Sequence, residues 1–231
     1  MPIARGRGSG SNIGGSSVLG HSGYLSLTRE ISLAHEDTLV TTLIPELTRL
    51  RIPTSHQTLA SGSEQVGDTL LLAGRGSTQM EVRLTIDAAH VVASTDAFGI
   101  VVKSQVSASG TYLLESTRIG ISPNLHTLFI DRSYANASGV GWPQTGASDK
   151  RVADQPIMSY PVQISRGEAV EMVVIVDGGI VEVCANNRSV VTALALSGSG
   201  NSTRVGVFGL PSTTKMHAEA WELTPLYAGA Q

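Results

Sequence analysis

The chain has 231 residues, of which 41% are hydrophobic and 15% charged, with a formal net charge of −3 and one cysteine. That length can bury one large β core or two small ones, and the low charge content excludes charge-rich helical and disordered classes. The basic residues are scattered, which gives no electrostatic footprint for nucleic acid or an anionic membrane, and no apolar run approaches the roughly 20 residues of a membrane helix.

Residues 1–22 form the first element, a Gly/Ser-rich stretch expected to be a flexible leader; with residue 23 included it holds seven glycines and five serines. It has no apolar core of the signal-peptide kind. Its "RGRG" lacks the aromatics and repetition of a nucleic-acid tail, so the linker reading is preferred. Residues 23–231 are expected to form a single β-sandwich. From Tyr24 onward, short Val, Ile, Leu and Thr runs alternate with Gly, Pro, Ser, Asn or Asp at the roughly 8- to 12-residue spacing of all-β sandwiches and barrels.

The runs read as strands are, in order, YLSLTREISL, TLVTTLI, DTLLLAG, QMEVRLTID, FGIVVKSQ, GTYLLES, TRIGIS, LHTLFIDR, IMSYPVQI, AVEMVVIVD, GIVEVCAN, SVVTALAL, TRVGVFGL and MHAEAWEL. About a dozen strands exceed one sheet, so the expected fold is a two-sheet antiparallel β-sandwich. IPELTRLR hints at one helical turn, and the segment from Tyr134 to Asp154 reads as a long surface loop.

The sharpest local signal is VVIVDGGIVEVCANN, Val173–Asn187. Gly178-Gly179 supplies two left-handed positions for a tight turn, pairing Asp177 with Ile180, Val176 with Val181, Ile175 with Glu182 and Val174 with Val183. Alternation then sends Met172, Val174, Val176, Val181, Val183 and Ala185 to the core. Glu171, Val173, Ile175, Asp177, Ile180, Glu182, Cys184 and Asn186 fall on a partly wet face.

Asp177 and Glu182 share that face, and glycosidases set two carboxyl groups roughly 5 to 9.5 Å apart. A flat outer sheet, however, provides neither a pocket nor a means of splitting two pKa values, so the structural reading is preferred. Cys184 has no histidine placed beside it and reads as a half-buried strand thiol. As the lone cysteine it excludes an internal disulfide and a multi-cysteine metal site. His21, His35, His56, His90, His126 and His217 show no i, i+4 pair, so neither a metal nor another cofactor is expected. There is no G-x-S-x-G elbow and no phosphate loop. Trp142 with Tyr134 is a possible sugar platform, with Tyr160 a third candidate. Asn136, Asn187 and Asn201 open N-glycosylation sequons, which suggest secretion.

Several segments together resemble the C-terminal β-sandwich module of glycoside hydrolase family 32, the invertases, inulinases and levanases. GYLSLTREISL is similar to that module's opening, with Arg29 and Glu30 at matching positions. LIPELTRLR matches through Pro45, Glu46, Leu47, Leu50 and Arg51. FGIVVKSQ and LHTLFIDRSYA match through Phe98, Gly99, Asp131, Arg132 and Ser133. VDGGIVEVCAN matches through Asp177, Val181, Glu182, Val183 and Asn186, departing at Gly178, Gly179 and Cys184. RVGVFGL and AEAWEL are similar to the closing strands.

The resemblance implies that catalysis belongs to an N-terminal five-bladed propeller, whose W-M-N-D-P-N-G, R-D-P and E-C motifs these residues do not contain. No catalytic residue is carried over. The expectation is an accessory module of a fructan- or sucrose-acting enzyme, inactive alone. Its expected partners are the propeller, a second copy in a dimer, or fructan and sucrose at a substrate cleft. The alternative is a stand-alone carbohydrate-binding sandwich.

Overall fold

The computed structural model describes residues 6–7, 23–33, 39–59, 63–74, 76–93, 96–135, 156–165, 167–211 and 214–225. Strands follow in chain order: β1 (Gly6–Arg7), β2 (Gly23–Tyr24), β3 (Arg29–Leu33), β4 (Leu39–Leu43), β5 (Gln57–Thr58), β6 (Glu64–Val66), β7 (Thr69–Leu71), β8 (Gln79–Ile86) and β9 (Phe98–Val106). Then come β10 (Leu113–Ser122), β11 (Thr127–Tyr134), β12 (Ile157–Pro161), β13 (Val170–Asp177), β14 (Ile180–Ala185), β15 (Ser189–Leu194), β16 (Arg204–Phe208) and β17 (Met216–Glu222).

Two antiparallel sheets make the sandwich. One has six strands in the order β15-β14-β13-β8-β17-β5, the other seven in the order β12-β11-β10-β9-β16-β7-β6. The expected all-β sandwich is therefore the observed fold. The inward-facing Val, Ile, Leu and Met residues of both sheets form one core, led by Leu84, Ile86, Phe98, Ile100, Ile119, Ile121, Leu128, Ile130 and Met172. Continuous burial along β9, Phe98 to Ser104, marks it as a central strand.

The two runs GTYLLES and TRIGIS form a single strand, β10, because a register shift between Ser116 and Arg118 takes up the break without ending the pairing. IPELTRLR holds a 3₁₀ turn, Pro45–Leu50, started by the fixed φ of Pro45. A short helix, Ala88–Ala93, was not signalled by periodicity; the Asp87 carboxylate accepts the Ala89 amide at 2.8 Å and caps it. Of the Tyr134–Asp154 loop, only its first two residues are described.

The hairpin of β13 and β14 has the expected register, Asp177 with Ile180 through Val174 with Val183. All six residues assigned to its core face are buried. Two details differ. Only Gly178, at φ 55°, is left-handed, so the turn needs one such position and not two. And the face expected to be partly wet is dry in its middle, where Ile175, Glu182 and Cys184 are buried.

That burial comes from the N-terminal part of the chain. β3 and β4 pair only with each other, in the register Arg29 with Leu43 through Leu33 with Leu39. The hairpin they form touches the outer side of the six-stranded sheet at β14 and its turn: the Thr41 amide donates to the Asn187 carbonyl at 2.6 Å, and Cys184 Sγ donates to the Thr41 carbonyl at 3.4 Å. After the 3₁₀ turn the chain is tied to β17. Thr224 N donates to Leu50 O at 2.7 Å, Ile52 N to Glu222 O at 2.9 Å, and β5 pairs Gln57 with Ala220.

Candidate functional site: two clasped carboxylates on the outer sheet face

The ladder registers place Thr192, Glu182, Ile175, Glu81 and Trp221 in one row across five strands. All five side chains belong to the outer face, since their neighbours one residue along, such as Val174, Val82 and Ala220, are in the core. Two carboxylates thus flank one isoleucine on neighbouring strands. Each is only 2% exposed, and a buried carboxylate is costly unless it is paired.

Glu81 is held by two arginines. Arg51 forms a bidentate fork, Nη2 to Oε1 at 2.6 Å and Nε to Oε2 at 2.8 Å, and Arg83 Nε donates to Oε1 at 2.7 Å. Burial pushes the Glu81 carboxyl up, but the hydrogen bonds and charges of Arg51 and Arg83 outweigh it, leaving the group below the ordinary carboxylate range. Reciprocally, the hydrogen bond to Glu81 holds the Arg51 guanidinium above its ordinary value. Arg51 also lies over the Trp221 ring, Cζ 3.9 Å from the centroid, and His56 stacks on Trp221 at 4.7 Å.

Glu182 is held more loosely. Thr192 Oγ1 donates to Oε2 at 2.7 Å, while the Leu27 amide and Arg29 Nη2 reach it at 3.3 and 3.4 Å. Arg29 Nε is 3.3 Å from Oε1 as an ion pair, without the alignment of a hydrogen bond. Beside it, burial pushes the Cys184 thiol up to about 11, so the sulfur is protonated and un-nucleophilic at neutral pH.

The residues singled out in the sequence do not converge. Asp177 is exposed and accepts from Gln79 Nε2 at 3.1 Å, so it shares no partner with Glu182. Asn186, left-handed at φ 48°, accepts the Glu171 amide at 2.8 Å and donates to Glu168 at 2.8 Å and to the Ala169 carbonyl at 2.9 Å, tying β13 to the β14–β15 turn. Asp131 Oδ1 accepts from the Ser133 amide and hydroxyl at 2.8 and 2.6 Å. Arg132 is buried and donates to the Pro156 and Leu194 carbonyls at 3.1 and 2.8 Å, bridging the two sheets at one edge. Glu30 is exposed on β3, and Glu46 is exposed in the first turn of the 3₁₀ segment.

Tyr134 is 67% exposed at the end of β11, where it pairs with Ser116 of β10, whereas Tyr160 is exposed on the edge strand β12 opposite Leu128, nearer the other end of β11, so the two are not brought together; Trp142 lies outside the described residues. Asn187 and Asn201 are exposed in turns, and Asn136 is outside the described residues. Two shallow depressions are lined by Gly76, Gly200, Asn201, Thr203 and Arg204, and by Val91, Ile121, Pro123, His126, Val162, Ile164 and Ser165. Neither lining includes a carboxylate.

The Glu81 clasp was not foreseen as a site. Its trace in MEVRLTID is the alternation of Glu81 and Arg83 with buried Met80, Val82 and Leu84, but nothing local shows that Arg51 closes over it. Another missed residue is Lys103, at φ 50° in the β9 irregularity opposite β10, whose Nζ crosses between the sheets to the Gly178 carbonyl at 2.7 Å. Burial holds its ammonium below the ordinary lysine value, against the opposing pull of Glu115.

A family model described as glycosyl hydrolases family 32 C terminal matches residues 46–222. The chain belongs to that family. Its fold is that of the corresponding part of several solved enzymes. Against Aspergillus kawachii beta-fructofuranosidase the TM-score is 0.62 at 16% identity, covering 87% of this chain and 38% of that one. Exo-inulinase from Aspergillus awamori gives 0.62 at 17%, covering 88% and 36%. Fructan 1-exohydrolase IIa from Cichorium intybus gives 0.63 at 16%, covering 88% and 41%. The family 32 module described here thus spans well under half the length of these enzymes. No curated protein matches it.

Proposed function

We propose that this family 32 module is the accessory sandwich of an enzyme acting on fructans or sucrose, packing against a catalytic propeller or a second copy and carrying out no chemistry itself. The observation that supports this most directly is the commitment of its buried acids. Glu81 and Glu182 are each engaged by arginine, the equally buried Glu115 accepts from the Ser199 amide and the Ser202 hydroxyl, and Asp177 faces solvent with a different partner. None is offered to a cleft as a proton donor with a nucleophile across from it. Leu25, Ile31, Leu33 and Leu39 leave apolar surface exposed on the N-terminal segment, as suits a module that packs on another domain.

The direct test is incubation of the purified chain with sucrose, inulin and levan. No release of fructose or glucose is expected; release that disappears in Glu182→Gln would overturn the reading. On the strength of the sequons we also place the module outside the cell. Removal of N-glycans from the protein made in a secreting eukaryotic host should then raise its electrophoretic mobility.

Exposed aromatic rings, Tyr134 at the end of β11 and Tyr160 on β12, favour a second reading, a carbohydrate-binding sandwich. Titration with fructans at millimolar concentration separates the two: saturable binding lost in Tyr134→Ala and Trp142→Ala supports the binding module, and no binding supports the accessory role.

A further inference from the structure

Two of the three sequon asparagines lie in described turns, and their surroundings differ. Asn187 stands in the β14–β15 turn at φ 53°, with its carbonyl accepting the Thr41 amide at 2.6 Å. Its sequon serine, Ser189, is 5% exposed and donates to the Pro161 carbonyl at 3.2 Å. Asn201 opens the sequon Asn201-Ser202-Thr203 in the connection from β15 to β16.

That connection is fastened from inside by a buried acid. Glu115, on β10 and 2% exposed, accepts the Ser199 amide at 3.3 Å and the Ser202 hydroxyl. Two bonds close the turn over it: Ser202 N donates to Ser199 O at 3.2 Å, and Asn201 N donates to Ser199 Oγ at 3.1 Å. The middle residue of the sequon is drawn inward, with Ser202 4% exposed, while Asn201 beside it is exposed. The acceptor asparagine is thus held outward on an anchored turn.

Beside it lies space of suitable chemistry. Gly76, Gly200, Asn201, Thr203 and Arg204 line one of the two shallow depressions, whereas Asn187 lines neither. A Cβ at Gly76 would lie 1.8 Å from the Thr203 carbonyl oxygen, so only glycine allows that approach. At Gly200 a Cβ would meet nothing within 4 Å, which leaves the side next to Asn201 open. A guanidinium, a hydroxyl and backbone groups offer hydrogen bonds to a hydroxylated ring.

We infer that Asn201 carries an N-linked glycan whose first N-acetylglucosamine rests in this depression against Thr203 and Arg204. The inference rests on the placement of the module outside the cell. In the modification, Asn201 Nδ2 bonds to C1 of the sugar of a lipid-diphosphate oligosaccharide. The C1–O bond to the diphosphate breaks, and the lipid diphosphate leaves with the proton that the amide gives up. The docked sugar then holds the β15–β16 connection from outside, as Glu115 holds it from inside.

The full chain is secreted from a eukaryotic host, and the peptide containing Asn201 is weighed by mass spectrometry. A glycan is expected there, lost in both Asn201→Gln and Thr203→Ala. The second measurement times release of that glycan by a peptide-N-glycosidase from the folded and from the heat-unfolded chain. Docking slows release from the folded chain by about 10-fold, equivalent to about 1.4 kcal/mol of protection, and Arg204→Ala narrows the gap. Equal rates from folded and unfolded chain overturn the inference, as does a gap that Arg204→Ala leaves unchanged. A glycan at Asn187 with Asn201 bare overturns this inference alone, whereas a chain from its own organism with no glycan at any sequon overturns the extracellular placement and this inference with it.

Discussion

Glu81 and Glu182 occupy one row of the same sheet with one strand between them, equally buried, and yet they are solved differently. Glu81 receives three charged hydrogen bonds of 2.6 to 2.8 Å, two of them from a turn bound to β17. Glu182 receives one short bond from a neutral hydroxyl of its own sheet and longer contacts from Leu27 and Arg29, on a segment that, among the described residues, joins neither sheet's ladder. Burial of a charge does not by itself measure how firmly its surroundings are held. What decides is whether the covering segment is fastened independently of the charge it covers.

The largest effect expected from breaking this comparison is at the firm clasp. Arg51→Ala leaves Glu81 buried beside a single partner, and a loss of about 3 to 5 kcal/mol is expected, read from urea unfolding midpoints at constant slope. The same clasp governs acid stability. The Glu81 carboxyl has a folded value below its unfolded one, so its contribution is complete above about pH 4.3 and is lost as pH falls through the folded value. Unfolding midpoints between neutral and acid pH should therefore fall less steeply in Glu81→Gln than in the parent chain, although the variant starts lower.

At the loose clasp, Glu182→Gln is expected to cost about 1 to 2 kcal/mol, less than the loss at Arg51. Equal losses at the two positions would remove the distinction. Smallest is the turn that joins β13 and β14. Gly178 sits at φ 55° with open space around a built Cβ, so Gly178→Ala meets only backbone strain, and a loss of about 1 kcal/mol is expected. Gly179, where a Cβ would lie 2.7 Å from Leu196, meets a side chain instead, which makes Gly179→Ala the comparison that separates strain from crowding.

Much of the architecture was legible in the residues. Period-two alternation in Met172–Ala185 assigns each side chain to a face, and Gly178 marks the turn closely enough to set the register, because both depend on neighbours within a few residues. The segments quoted for family 32 lie in the right order for the same reason: strands and turns keep local signatures. Alternation also placed Ile175, Glu182 and Cys184 together on the outer face.

What it did not show is that this face is covered. Arg29 and Leu27 reach Glu182 from 153 and 155 residues away along the chain, and Arg51 reaches Glu81 across 30. No periodicity records which segment returns over which face. The sequence by itself determined the sandwich, the inward and outward sets of the β13–β14 hairpin and, through the resemblance of its motifs, the family, because all three rest on local patterning. Only the tertiary structure decided that two outward carboxylates are dry, that each is closed by an arginine from the N-terminal segment, and that the two closures differ in strength, because those depend on contacts between residues that the chain brings together only when it folds.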